Sequence, residues 1–137
     1  MEVEAKQAAQ SAYQHTTLAR VDCDAALVRL SELIQSQQLF VDPALSLPSL
    51  AARLDLTTHQ LSELLNSRLG KSIARFVREQ RIEAAKAMLC EEPSASVLSV
   101  GLAVGFAAQS NFYEAFRDIE GMTPGQYRKL QGVGTRR

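Results

Sequence analysis

One stretch of this chain is written twice, and that repeat constrains the fold more than any other feature. Leu54-Asp55-Leu56 recurs as Val104-Gly105-Phe106 at an offset of 50, and Leu61, Glu63, Leu65 and Gly70 recur as Phe112, Glu114, Phe116 and Gly121 at an offset of 51. Ser72 is matched by Thr123 at that second offset. Around each copy the apolar residues fall at the spacing of an amphipathic helix, and no segment alternates with period two long enough to be a strand. The expected fold class is all-α, with two helix-turn-helix subdomains joined by a long linker helix.

The elements follow from their start and stop signals. Leu27, Leu30, Leu33 and Ile34 mark one face of a helix over about 22–38, which Asp22 or Asp24 can cap and which Asp42-Pro43 ends. Residues 1–44 read as a connector carrying that helix, since the first twenty are rich in Ala and Gln and give little to bury. In the first unit, about 46–70, Ser46 opens a short helix with Leu47, Leu50, Ala51 and Leu54 inward. Thr57 caps a second helix with Leu61, Leu64 and Leu65 inward, which stops near Gly70. Ser72 can cap the linker helix, about 72–91, whose apolar side is Ile73, Phe76, Val77, Ala84, Ala85, Met88 and Leu89. The second unit, about 96–121, repeats the pattern with Val97, Leu98, Leu102 and Ala103, a turn at Gly105-Phe106, then Phe112, Ala115 and Phe116. Thr123-Pro124-Gly125-Gln126 spells a capping box that opens a closing helix, about 123–131, with Tyr127 and Leu130 inward, and 132–137 is left as a tail.

Composition narrows the function. Fifteen Lys and Arg against fifteen Asp and Glu leave no global field for polyanions, so a nucleic-acid surface has to be local. The balance is uneven along the chain, with three basic against six acidic residues in 1–44 and twelve against nine beyond. Two cysteines, Cys23 and Cys90, make neither a disulfide scaffold nor a zinc ribbon and suit a reducing compartment. With no signal-peptide pattern and no apolar run that spans a bilayer, a cytoplasmic location is expected, and no direct membrane insertion by this segment. No nucleophile elbow, phosphate loop or HExxH motif is present, so no catalytic residue, enzyme activity or cofactor is expected. The two histidines, His15 and His59, lie far apart in sequence, so a metal site is not expected either.

Two helix-turn-helix units on a linker of about 28 Å suit double-stranded DNA, whose major groove recurs on one face every 34 to 36 Å. With Leu61, Leu64 and Leu65 inward, Thr58, His59, Ser62, Glu63 and Asn66 form the opposite stripe. With Phe112 and Phe116 inward, Gln109, Ser110, Tyr113 and Glu114 do the same, with Arg117 beside them. These are the base-facing candidates: Gln109 and Asn66 suit adenine, and Glu63 or Glu114 can accept from the cytosine amino group. Arg68, Lys71, Ser72, Arg75, Arg117, Arg128 and Lys129 are the phosphate candidates, Ser72 together with the amides of a helix start. Ala107 and Ala108 stand where a Ser, Asp or Asn cap is expected, costing the second reading helix about 1 kcal/mol.

From about Leu45 to Leu130 the chain resembles the C-terminal DNA-binding domain of the AraC/XylS family of bacterial transcription regulators. The matching segments are Leu47-Pro48-Ser49-Leu50-Ala51, Arg81 to Leu89, Val104-Gly105-Phe106, Phe112 to Arg117 and Gly121 to Arg128. The resemblance implies a DNA-binding domain over 45–131 and a structural role for Arg81. It also exposes a departure, because family members often carry Arg where Glu63 and Glu114 stand. By analogy it implies a sequence-specific activator that binds promoter DNA and touches RNA polymerase. An upstream sensory portion or a dimer partner is implied too, the chain then being a fragment of a longer protein, with a membrane-attached regulator among the forms the resemblance implies. The competing expectation is a helical protein–protein interaction module that keeps the fold without tight DNA binding, a reading favoured by zero net charge and the two glutamates.

Overall fold

The computed structural model describes residues 18–132. The Ala- and Gln-rich leader with His15, and all of the tail beyond Gly132, lie outside the described residues. Seven α-helices and no strand occur among the described residues: α1 (Cys23–Gln35), α2 (Leu47–Arg53), α3 (Thr58–Leu64), α4 (Ile73–Glu91), α5 (Val97–Ala103), α6 (Gln109–Glu120) and α7 (Pro124–Leu130). A 3-10 turn at Leu39–Val41 follows α1, and a π turn at Leu65–Leu69 prolongs α3. None of these helices is long and apolar enough to cross a membrane.

The chain divides into two compact units, the first including Leu45–Ile73 and everything described up to Gln37, the second Gln38–Ala44 with Ala74 onward. The helix that the sequence reading assigns to a connector therefore belongs to the first unit. Asp22 caps it by accepting from the Ala25 amide at 3.0 Å, and Leu30, Leu33 and Ile34 are buried along one face. It stops at Gln35, short of the expected 38 and well before Asp42-Pro43. Polar Ser36-Gln37-Gln38 offers nothing to bury there, and Gln38 turns the chain with a left-handed φ of 52°.

In the first unit the core is aliphatic: Leu30, Leu33, Ile34, Leu50, Ala51, Leu61, Leu64 and Leu65, with Leu18 at its edge. Ser46 and Ser49 form a reciprocal capping box at the start of α2, and Thr57 and Gln60 form another at the start of α3. The chain turns between them through Asp55, which holds φ 58°, and the π turn ends at Gly70 with φ 69°.

The second unit is built on aromatic rings. Phe106, Phe112 and Phe116 are buried, with ring centroids 5.3 Å and 5.9 Å apart in sequence, and Tyr127 of α7 meets Phe116 edge-on at 5.6 Å. Two glycines permit this packing. A Cβ at Gly101 would lie 2.5 Å from the Phe112 ring, and one at Gly105, whose φ is +112°, would run into the Phe40 carbonyl. Arg81 reaches into the same region: its Nε donates to the Phe40 carbonyl at 2.7 Å, a terminal nitrogen donates to the Asp42 carbonyl at 2.9 Å, and the guanidinium lies over the Phe106 ring. Burial lowers its pKa, Asp42 partly offsetting this, and the side chain acts as a strut for the 38–44 segment.

Three expected inward faces are corrected here. In α5 the buried residues are Val100 and Gly101, followed by Val104, whereas Leu98 is 43% and Leu102 50% exposed. In α4 the fully buried set includes Ile82, absent from the expected face, while Ile73, Ala84 and Met88 are half-buried. Leu130, at the last turn of α7, is 69% exposed, so Tyr127 alone makes the expected inward contact.

Candidate nucleic-acid interface

The capping box at Thr57 fixes where α3 begins and hence which residues share its outer face. Gln60 N donates to Thr57 Oγ1 at 3.1 Å, and Thr57 N donates to Gln60 Oε1 at 2.9 Å. With Leu61, Leu64 and Leu65 fully buried, the opposite face carries His59, Ser62, Glu63, Asn66 and Ser67, which together line an open depression of ≈ 410 Å³. His59 and Asn66 are exposed, Ser62 and Glu63 are half-buried, and Thr58, also half-buried, is not among the residues lining the depression. The depression joins four of the five base-facing candidates of this unit.

In the second unit α6 starts at Ala108, which offers no side-chain cap, and ends at Gly121 with φ 78°. Gln109, Ser110 and Glu114 are exposed, and Tyr113 is half-buried with its ring edge-on to Phe112 at 6.2 Å. Glu114, Arg117, Asp118 and Gly121 line a depression of ≈ 370 Å³ at the C-terminal half of the helix. Gln109, Ser110 and Tyr113 lie outside it, nearer the helix start. Asp118, absent from the sequence list, was within reach of the same spacing argument, since it follows Glu114 by one helical turn.

The phosphate candidates divide by what they already hold. Arg68 donates to Asp24 at 3.0 Å, a hydrogen bond that raises its pKa, and both side chains are solvent-exposed. Arg75 is paired with Glu79 one turn along α4 at 2.7 Å. Arg128 is half-buried: its Nε donates to the Leu89 carbonyl at 3.1 Å and a terminal nitrogen donates to the Glu92 carbonyl at 3.3 Å, satisfying the C-terminal end of α4. Its place in the structure is thus that of a helix cap. Arg117 and Lys129 are exposed, Ser72 is exposed just before α4, and Lys71 is half-buried. No cluster of His, Cys, Asp or Glu able to hold a metal ion occurs among the described residues.

A family model described as a helix-turn-helix domain matches the chain over residues 50–130. Solved structures agree, among them an AraC-type DNA-binding regulator from Chromobacterium violaceum, with a TM-score of 0.69 at 23% identity over 81% of this chain and 96% of that one. The chain belongs to this helix-turn-helix family, of AraC type. Other likenesses fall in the same family. The C-terminal domain of AraT, a response regulator from Geobacillus stearothermophilus, has a TM-score of 0.69 at 28% identity, over 77% of this chain and 84% of that one. The HTH-type transcriptional regulator MtrA of Neisseria gonorrhoeae is 33% identical over 104 residues, covering 76% of this chain and 34% of that protein. The melibiose operon regulatory protein of Escherichia coli K12 is 29% identical over 89 residues, covering 65% of this chain and 29% of that protein. This AraC-type chain spans about a third of the length of each of these last two regulators.

Proposed function

We propose that this chain is the output domain of a sequence-specific regulator, reading two adjacent major grooves of double-stranded DNA with α3 and α6. The observation that carries this reading is the duplication of one exposed polar face. Each unit buries one side of its second helix completely and presents on the other a row of hydrogen-bonding side chains beside an open depression. In the first unit Thr58, His59, Ser62, Glu63 and Asn66 supply base contacts; in the second Gln109, Ser110, Tyr113 and Glu114 do. Arg68, Lys71, Ser72, Arg75, Arg117 and Lys129 supply the backbone contacts, present surface partners such as Asp24 and Glu79 giving way to phosphate. Activation through RNA polymerase, in the cytoplasm and under control of an upstream sensory portion or a second copy, completes the proposal by family analogy.

Two acidic side chains at the second depression, Glu114 and Asp118, favour a second reading in which this face binds a protein. Salt separates the two. A regulator neutralising several phosphates should lose on the order of a thousandfold in DNA affinity between about 50 and 200 mM salt. Absence of binding to any duplex from a random pool at low salt would overturn the DNA reading and leave the protein-binding one.

A further inference from the structure

The turn between the paired helices occurs once in each unit, at Asp55 with φ 58° and at Gly105 with φ 112°, at the offset of 50 that relates the two copies. What lies beside the two turns differs. In the second unit the chain itself fills the space. The segment Gln38–Ala44 belongs to that unit, Phe40 is buried, and the Phe40 carbonyl leaves no room for a Cβ at Gly105. Arg81 holds this segment by its main chain, donating to the carbonyls of Phe40 at 2.7 Å and Asp42 at 2.9 Å.

In the first unit the space beside Asp55 is open. It is a depression of ≈ 470 Å³ whose apolar floor includes Leu54, Leu56 and Ala26, all half-buried. Three exposed arginines also line it: Arg20 just before α1, Arg29 on α1 and Arg53 at the end of α2. A guanidinium carries five N–H donors and no acceptor, so these side chains need acceptors from water or from a ligand. Arg29 approaches Glu32 at 3.8 Å, beyond hydrogen-bonding distance, and its side chain is 51% exposed. The three cations face two carboxylates, of which Asp22 already accepts from the Ala25 amide as the cap of α1. None of the lining residues is shared with the depression beside His59 and Asn66, so this surface is distinct from the reading face of the first unit.

We propose that this depression is a docking site for a short acidic peptide segment of a partner protein, seated on the first unit as Leu39–Asp42 is seated on the second. An apolar side chain of the peptide packs on Ala26, Leu54 and Leu56, while its carbonyl and carboxylate oxygens accept from Arg20, Arg29 and Arg53. Carboxylates suit these donors because the planar fork of a guanidinium can bond both oxygens at once. Charge complementarity and the chain's own occupation of the second turn are the two arguments for a peptide. Neither depends on the DNA reading.

The experiment is fluorescence anisotropy with the full chain and a labelled peptide, Glu-Leu-Phe-Val-Asp-Glu, against its counterpart Lys-Leu-Phe-Val-Lys-Lys. The acidic peptide should bind at least about tenfold more tightly than the basic one, and added salt should weaken it. Arg53→Glu, and separately Arg20→Glu combined with Arg29→Glu, should each weaken it by about tenfold or more without shifting the unfolding midpoint. No binding of the acidic peptide at low salt, equal binding of the two peptides, or unchanged binding in both variants would overturn the site. Two further outcomes reassign it and overturn the proposal as well. If the peptide does not bind and the variants lose affinity for a selected duplex, the arginines serve the DNA backbone. If light scattering shows the chain paired with itself through a contact that Arg53→Glu abolishes, the occupant is a second copy.

Discussion

The two units solve one architectural problem with different materials. In the first, an aliphatic core is joined to local hydrogen-bonding devices, since Ser46 with Ser49 and Thr57 with Gln60 close both helix starts reciprocally. In the second, the start of α6 has no side-chain cap, and four rings in edge-to-face or tilted contact hold the helices instead. A cap contributes about 1 kcal/mol, whereas an aromatic pair adds about 0.5 to 1.5 kcal/mol beyond its buried area, so a ring cluster can offset a missing cap. The glycines show what the rings require. Ala51 fits the first unit where Gly101 is needed in the second, and Asp55 makes the turn that Gly105 makes against the Phe40 carbonyl. The lesson is that the two units share one order of helices and turns while their packing differs.

The strongest way to break this comparison is Phe112→Ala, which should cost about 3 to 5 kcal/mol in denaturant unfolding. A cost below about 1 kcal/mol would show that the rings do not carry the second unit. Next comes the paired test at the turn. Gly105→Ala combines a clash with a left-handed φ and should cost on the order of 3 kcal/mol, whereas Asp55→Gly should change stability by less than about 1 kcal/mol. Equal effects at the two turns would contradict the assigned packing. The caps give a smaller, opposite pair: Thr57→Ala should lose about 1 kcal/mol, and Ala108→Ser should gain a similar or smaller amount. Local amide exchange at the starts of α3 and α6 distinguishes a cap effect from a global one.

The smallest expected effect is on alkaline stability. Lys86 donates to Glu83 and to Glu120 at 3.1 Å and lies over the Tyr127 ring. Burial alone lowers its pKa, but the bonds to Glu120 and Glu83 outweigh this and raise it. Its contribution is therefore fully present below the ordinary lysine value of about 10.4 and is lost as pH rises through the higher folded value. Burial also raises the Tyr127 phenol, whose ionisation acts in the same direction. Melting temperature should thus fall above about pH 10, and fall less in Lys86→Met; an identical pH profile in that variant would exclude the lysine as a source.

Much of the fold was legible because it is written in local chemistry. Ser46, Thr57 and Thr123 announce helix starts and Gly70 and Gly121 announce stops, and each does so in the structure. The face of α5 was misread because Leu98 and Leu102 are the larger apolar residues. Shifting Leu47, Leu50, Ala51 and Leu54 by 50 names Val97, Val100, Gly101 and Val104, the last three of which the structure buries. The repeat was thus a better guide than residue size. Ser67, which lines the first depression, follows Glu63 by one helical turn as Asp118 follows Glu114, so the same spacing reaches both. The engagement of Arg128 depends on a contact with Leu89, 39 positions earlier, which helical periodicity within α7 does not reveal.

The central claim is that both copies of the unit read DNA, and a hydroxyl-radical footprint on a selected duplex tests it most directly. Two protected patches centred about 10 base pairs apart on one face of the helix are expected, with Gln109→Ala weakening one and Asn66→Ala the other. A single protected patch, unaffected by substitutions in one of the two helices, would contradict it.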